Sequence, residues 1–266
     1  MKTMPHPDDL RVLLLDADGS LFPSEAPAFD ASADVTNRFL AALGIQATYT
    51  PGHLLATTTG KNFRTTAVDL AAAHGVTLDQ APGPDAGGPL LTSAMLDHWV
   101  AEEKKVVSTH LGRVLRPDPA VLEPLRRLSQ RYRLAAVSSS ALSRLDECFR
   151  ATGLAELIPV QRRYSAEDSL PAPTSKPDPA VYLHALDQLE VRAGQAVAVE
   201  DSVPGAQSAV AAGIATIGNL TFVPADERDK RRRDLQATGV VSLVDSWADV
   251  AAMMRPAAPV GAERHR

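Results

Sequence analysis

Two aspartates close a short apolar run in Val12-Leu13-Leu14-Leu15-Asp16-Ala17-Asp18-Gly19-Ser20, and a glycine turns the chain directly after them. Alternate residues of an extended segment point the same way, so Asp16 and Asp18 can face one pocket. Two acidic groups on one rim repel each other unless a cation or a shared proton offsets them. An Asp-rich turn or a helix cap would use the same letters without chemistry.

A second acidic pair ends another apolar run, in Val197-Ala198-Val199-Glu200-Asp201-Ser202, with Pro204, Gly205 and an Ala-rich stretch following. Hard oxygen ligands from a few carboxylates, completed by water and substrate, are what Mg²⁺ prefers. Capping by Asp201 or Ser202 is the structural alternative. Lys176 sits in Ser175-Lys176-Pro177-Asp178-Pro179. Prolines stiffen that loop, and a restrained ammonium suits contact with a phosphate or a carboxylate. Ser138, Ser139 and Ser140 follow the apolar run 134–137. Hydroxyls beside free helix N–H groups bind phosphate oxygens, although they also serve as plain caps.

Groups at strand ends need strands to carry them. Short apolar runs occur at 12–15, 134–137, 157–160, 197–199, 214–217 and 240–244. Amphipathic stretches at 119–130, 141–152, 179–189 and 204–212 separate the later runs. This alternation predicts an α/β fold, a parallel sheet covered on both faces. Pro119, Pro179 and Pro204 fall early in their stretches, and Gly153 and Gly213 close two of them. Between Phe22 and His110 no strand is expected, while helical periodicity recurs at 34–43, 62–74 and 93–107. Ninety strandless residues are long for one crossover, so a helical cap inserted after the first strand is expected. The expected division is a core of 10–22 with 112–254, a cap of 23–111, and a disordered tail from 255 to 266. The Gly/Pro-rich stretch 81–89 reads as an exposed loop.

Composition narrows the function classes. The 266 residues carry 27 basic and 32 acidic side chains, a net charge of -5 that gives no support to nucleic-acid binding. Lys230-Arg231-Arg232-Arg233 reads as the solvated face of a late helix. Aromatics make up only 5%, leaving the core to Ala, Leu and Val. Cys148 is the single cysteine, which excludes an internal disulfide and a cysteine metal site. No apolar run reaches membrane-spanning length, so no membrane association is expected. The first residues lack the apolar core of a secretory signal, and the expected location is cytoplasmic. None of the 7 histidines lies in metal-ligand spacing.

The four chemical groups occur in an order that resembles the haloacid dehalogenase superfamily of phosphatases and phosphomutases. Its signature motifs correspond to Asp16-Ala17-Asp18-Gly19-Ser20, Ser138, Lys176 and Glu200-Asp201. The resemblance implies a Rossmann-like core with a helical cap between the first two motifs. It implies that Asp16 is the nucleophile and that Asp18 exchanges protons with the leaving group and water. It implies Mg²⁺ held by Asp16, the Asp18 carbonyl and Asp201, with Glu200 helping directly or through water. Ser138, the Ser139 N–H and Lys176 would face the phosphoryl oxygens.

An Asp at position 18 points within that family to phosphate esters, since dehalogenases carry an aromatic residue there and phosphonate hydrolases a small one. Glu-Asp-Ser-x-x-Gly with Lys-Pro-x-Pro is most similar to phosphoglycolate phosphatases, sugar-phosphate phosphatases and β-phosphoglucomutase. Substrate choice is expected from the segment 57–65, through Lys61 or Arg64. In β-phosphoglucomutase a cap arginine stands three residues after the comparable glycine, where this chain has Phe63. A phosphatase for a small phosphorylated metabolite is therefore the leading expectation, with a phosphomutase and a non-catalytic phosphometabolite sensor as alternatives. No oligomeric state is assigned.

Overall fold

The computed structural model describes residues 3–6, 8–58, 62–79 and 90–254. Among them, six strands form one sheet: β1 (Val12–Leu15), β2 (Arg133–Ser138), β3 (Arg163–Ser165), β4 (Ala196–Glu200), β5 (Ala215–Asn219) and β6 (Ser242–Val244). All pairings are parallel and the order is β3-β2-β1-β4-β5-β6. This is the doubly wound, Rossmann-like order, in which the winding reverses between β1 and β4. Val12, Leu13, Leu14 and Leu15 are each 0% exposed, as a central strand covered on both faces demands.

The helices in chain order are α1 (Glu25–Ala42), α2 (Pro51–Thr58), α3 (Phe63–Ala73), α4 (Ser93–Val114), α5 (Pro119–Ser129) and α6 (Leu142–Thr152), then α7 (Ala180–Gln188), α8 (Val203–Ala211), α9 (Arg228–Ala237) and α10 (Trp247–Met253). One sheet face buries Val12, Leu14, Ala135, Val137, Ala196 and Ala198 with Val181, Tyr182 and Ala185 of α7. Small Ala residues on the strands let an aromatic side chain fit between helix and sheet. Gly153 ends α6 in the left-handed region at φ 72°, where an L side chain is disfavoured.

The chain divides into two compact units, Met1–Phe22 with Arg116–Arg266, and Pro23–Leu115. Among its described residues the second unit holds α1 to α4, one isolated bridge between Leu78 and Leu91, and no strand. Its core joins Phe39, Leu40, Leu43, Ala67, Ala71, Leu91 and Leu96. Phe39 meets Phe63 and Trp99 edge-on, at centroid distances of 6.4 and 6.1 Å. The division falls at 115 rather than 111 because α4 runs through Gly112 to Val114 before the chain extends toward Pro117.

Three elements differ from the sequence expectation. The run 157–160 is no strand, because Pro159 has no N–H to give a ladder. Its first three residues link two 3-10 turns, Leu154–Glu156 and Val160–Arg162, the second of which begins at Val160, and β3 forms just beyond. Helix α1 starts at Glu25, nine residues before its apolar periodicity becomes clear, and α2 was not anticipated. The loop expected at 81–89 and the tail expected from 255 lie outside the described residues.

Candidate active site

The site grows from the carboxyl ends of β1 and β4, where ligands bind in open α/β sheets. Leu15 pairs with Val199, so the next residue of each strand, Asp16 and Glu200, come level, and the Asp16 N–H donates to Val199 O at 2.9 Å. Asp16, Glu200 and Asp201 are all buried, and each offers a carboxylate oxygen within 4.8 Å of the others. Two glycines make the approach possible. A Cβ at Gly19, which sits at φ 76°, would strike the Asp201 carboxylate, and one at Gly205 would strike that of Glu200.

Lys176 enters from a loop whose Lys176–Pro177 peptide bond is cis. Its ammonium donates to Asp16 Oδ1 at 2.6 Å, Glu200 Oε1 at 2.7 Å and Val137 O at 2.8 Å, which uses all of its protons. Its backbone N–H donates to Ser139 Oγ at 3.1 Å. Tyr182 Oη donates to Glu200 Oε1 at 2.5 Å, and the ring lies 5.4 Å from the ammonium.

Burial pushes the Asp16 carboxyl well above its ordinary value; Lys176 draws it back, while Glu200 and Asp201 push it up again. Burial alone would lower Lys176, but the adjoining Asp16 and Glu200 carboxylates outweigh it and hold the ammonium above its ordinary value. Burial, then Glu200 and Asp16, raise Tyr182, so its phenol stays a donor.

Asp16 Oδ2 and Glu200 Oε2 are buried with no hydrogen-bond partner. Buried oxygens in that condition are costly unless something positive meets them. Three carboxylates less the Lys176 ammonium leave two negative charges within the cluster when all are ionised, with the Arg231 guanidinium 3.8 Å from Asp201 Oδ2 at its partly exposed edge. An all-oxygen, doubly negative donor set fits a divalent hard cation such as Mg²⁺.

The Asp18 carboxylate stands outside this cluster. Ser140 Oγ donates to its Oδ2 at 2.7 Å and Ser138 Oγ at 3.3 Å, while Arg144 Nη2 donates to its Oδ1 at 2.9 Å. Asp18 would therefore reach a metal only through its carbonyl. Ser20 fixes the loop from below: Asn219 Nδ2 donates to Ser20 Oγ at 3.2 Å and Trp247 Nε1 to Ser20 O at 2.9 Å.

Ser202 takes the capping role at α8, accepting the Gly205 N–H at 3.2 Å, and leaves Asp201 to the cluster. In the helical unit Arg64 pairs with Asp97 and its side chain is 46% exposed; Lys61 lies outside the described residues.

The structure adds three residues that the motifs did not single out, Tyr182, Arg144 and Arg231, and it turns the Ser140 hydroxyl, read from the sequence as a phosphate donor, toward Asp18. Arg231 Nη1 donates to Asp201 O at 2.8 Å, which corrects the reading of the basic cluster as a wholly solvated face. Its neighbours fit that reading, with Lys230 paired to Asp234 and Arg232 to Asp245 in exposed positions. Nothing in four consecutive basic residues marks which one turns inward. Tyr182 did carry a signal, a hydroxyl on the apolar face of α7 beside Val181 and Ala185.

The family described as haloacid dehalogenase-like hydrolase matches residues 10–213. No curated protein matches the chain. Among solved structures, a conserved haloacid dehalogenase-like protein of unknown function from Agrobacterium tumefaciens is 26% identical, with a TM-score of 0.63 over 92% of this chain and 97% of that one. A predicted phosphoglycolate phosphatase from Haemophilus somnus is 21% identical, with a TM-score of 0.67 over 93% and 99%. CbbY from Rhodobacter sphaeroides, in complex with xylulose-(1,5)bisphosphate, is 21% identical, with a TM-score of 0.62 over 90% and 96%. At these identities the last two show likeness of fold. With the family match covering most of the chain and acidic groups clustered at the ends of β1 and β4, the chain belongs to the haloacid dehalogenase-like hydrolases.

Proposed function

We propose that the protein is a Mg²⁺-dependent phosphatase that hydrolyses a small phosphorylated metabolite, a sugar or hydroxy-acid phosphate, through an aspartyl-phosphate on Asp16. One observation carries the reading. Asp16 is buried with one oxygen held by Lys176 and the other without a partner, beside Glu200 and Asp201. A carboxylate so restrained, with one oxygen left bare among two further carboxylates, is oriented for attack, since a buried pair kept for stability alone would be expected to satisfy its remaining lone pairs.

In the first half-reaction an Asp16 carboxylate oxygen bonds to phosphorus while the bond from phosphorus to the leaving oxygen breaks. Asp18 passes its proton to that oxygen, releasing an alcohol. In the second, Asp18 takes a proton from water, the water oxygen bonds to phosphorus, and the bond to Asp16 breaks. Inorganic phosphate leaves and both aspartates return to their starting states. Ser138 and the Ser139 N–H would face the transferred oxygens, while Lys176, whose protons are held by Asp16, Glu200 and the Val137 carbonyl, would contribute its positive charge nearby. Asp16, the Asp18 carbonyl, Asp201 and Glu200 would hold Mg²⁺, which when bound offsets repulsion between the carboxylate and the anionic phosphate. Substrate selection is assigned to the helical unit as a cap, through Lys61 or Arg64.

The test is phosphate release from a panel of phosphorylated metabolites, with and without Mg²⁺, by wild type and Asp16→Asn. Metal-dependent release is expected, with a loss on the order of 10⁴-fold or more in the variant, as when a nucleophile is removed. Hexose phosphates interconverted without net release would replace the proposal with a phosphomutase. Ligand binding without any turnover would replace it with a sensor.

A further inference from the structure

The placement of Arg144 conflicts with local helix physics. It is the third residue of α6, after Leu142 and Ser143, where the partial positive charge of a helix N-terminus disfavours a cation. The same end has Ala141 at the cap position with no side-chain hydrogen bond, and the Leu142 N–H is satisfied instead by Asp168 Oδ2 at 2.6 Å. Leu145, Cys148 and Phe149 pack the inner face of α6, whereas the Arg144 side chain is 24% exposed, so apolar burial does not explain it. Where a local rule is broken without a packing gain, function is the place to look for the compensation.

The compensation is visible at Asp18. Arg144 holds Oδ1 at 2.9 Å, and Ser140 and Ser138 hold Oδ2 at 2.7 and 3.3 Å, so both oxygens are fixed from one segment at the end of β2 and the start of α6. Ser140 is itself tied in place, its N–H donating to Ser138 Oγ at 2.9 Å. A free aspartate side chain samples several rotamers, and only a fraction of them can serve one leaving oxygen. Two serine donors fix a single oxygen, whereas the guanidinium on the other oxygen fixes the plane of the carboxylate.

We propose that Arg144 is the positioning residue for Asp18, holding its carboxylate in the orientation from which it exchanges protons with the leaving group and water. The inference rests on the phosphatase reading and adds to it a residue that none of the four motifs contains.

Leaving-group dependence separates positioning from general damage. An alkoxide needs a proton as it departs, while p-nitrophenolate leaves without one. Wild type, Arg144→Gln and Arg144→Lys are compared on the best alkyl phosphate of the metabolite panel and on p-nitrophenyl phosphate, at saturating Mg²⁺. The ratio of alkyl to aryl kcat/KM, which reports departure of the leaving group and not hydrolysis of the shared aspartyl-phosphate, is expected to fall by about 10- to 100-fold in Arg144→Gln, a part of the roughly 10²- to 10⁴-fold a general acid supplies. Arg144→Lys is expected to recover part of that ratio, because an ammonium restores charge without the planar fork. Should the glutamine variant not fold, the lysine ratio decides alone. Equal loss of kcat/KM on both esters, or a rise in KM with kcat retained, would overturn the inference. A wild type that releases phosphate from neither ester removes the phosphatase reading, and this inference with it.

Discussion

Asp16 and Asp18 are two residues apart on one loop, yet their surroundings differ. Asp16 is buried among Glu200, Asp201 and Lys176, with one oxygen left unpartnered. Asp18 is 18% exposed at its side chain and both of its oxygens are held by uncharged hydroxyls and a guanidinium. The first environment keeps a carboxylate at a crowded negative centre. The second restrains one that is still near water, as proton exchange requires. Environment, more than residue type, sets the two carboxylates apart, and the roles proposed for them follow that difference.

The sharpest way to break that contrast is to remove the charge that makes the Asp16 side tolerable. Lys176→Met leaves Asp16 and Glu200 buried without their ammonium. Breaking a buried pair in this way costs about 3–5 kcal/mol. Urea unfolding in metal-free buffer should show a loss of that size, and phosphate release should collapse with it. A loss below about 1 kcal/mol would place the pair in the class of screened surface bridges and dissolve the distinction.

The Asp18 side should answer differently. Asp18→Asn keeps the shape, and its partners are partly exposed, so stability should change by less than about 1 kcal/mol. Release from alkyl phosphates should nonetheless fall by about 10²- to 10⁴-fold, because an amide neither gives nor takes the proton. Steady-state kinetics beside urea unfolding measures both. A variant as active as wild type would return the proton transfers to another group.

The contrast also explains what could be read from the chain alone. Asp16, Asp18, Glu200 and Asp201 end strands whose uniform apolarity is itself a signal, so chemistry and element coincide within a few letters. Lys176 was legible because two prolines, Pro177 and Pro179, follow it closely. The groups that orient these residues arrive through tertiary packing from α6, α7 and α9, and distance along the chain says nothing of it. Arg144 did leave a trace, a cation in a helix's first turn, whereas Arg231 left none among its basic neighbours. In the fold, a proline decided the one misplaced strand, because Leu157-Ile158-Pro159-Val160 is apolar enough for a ladder but lacks an N–H to complete it.

The smallest expected effect sharpens the comparison from the Asp16 side. Tyr182 donates to Glu200 Oε1, the oxygen that Lys176 also holds. With Oε1 occupied twice, Glu200 can offer only Oε2 to a cation, and the collision that a Cβ at Gly205 would cause shows how closely that carboxylate is packed. Tyr182→Phe removes one donor and keeps the ring over the ammonium. Loss of an outer partner of a metal ligand weakens metal affinity by about 10- to 100-fold. Because Lys176 still restrains Oε1, the lower end is expected, with Mg²⁺ binding measured by calorimetry weakened by about 10-fold. The rate at saturating Mg²⁺ should fall far less, since Asp16 and Asp18 keep their own partners. If affinity holds and the rate drops instead, Tyr182 belongs with the Asp18 side, and the division drawn between the two acids is misplaced.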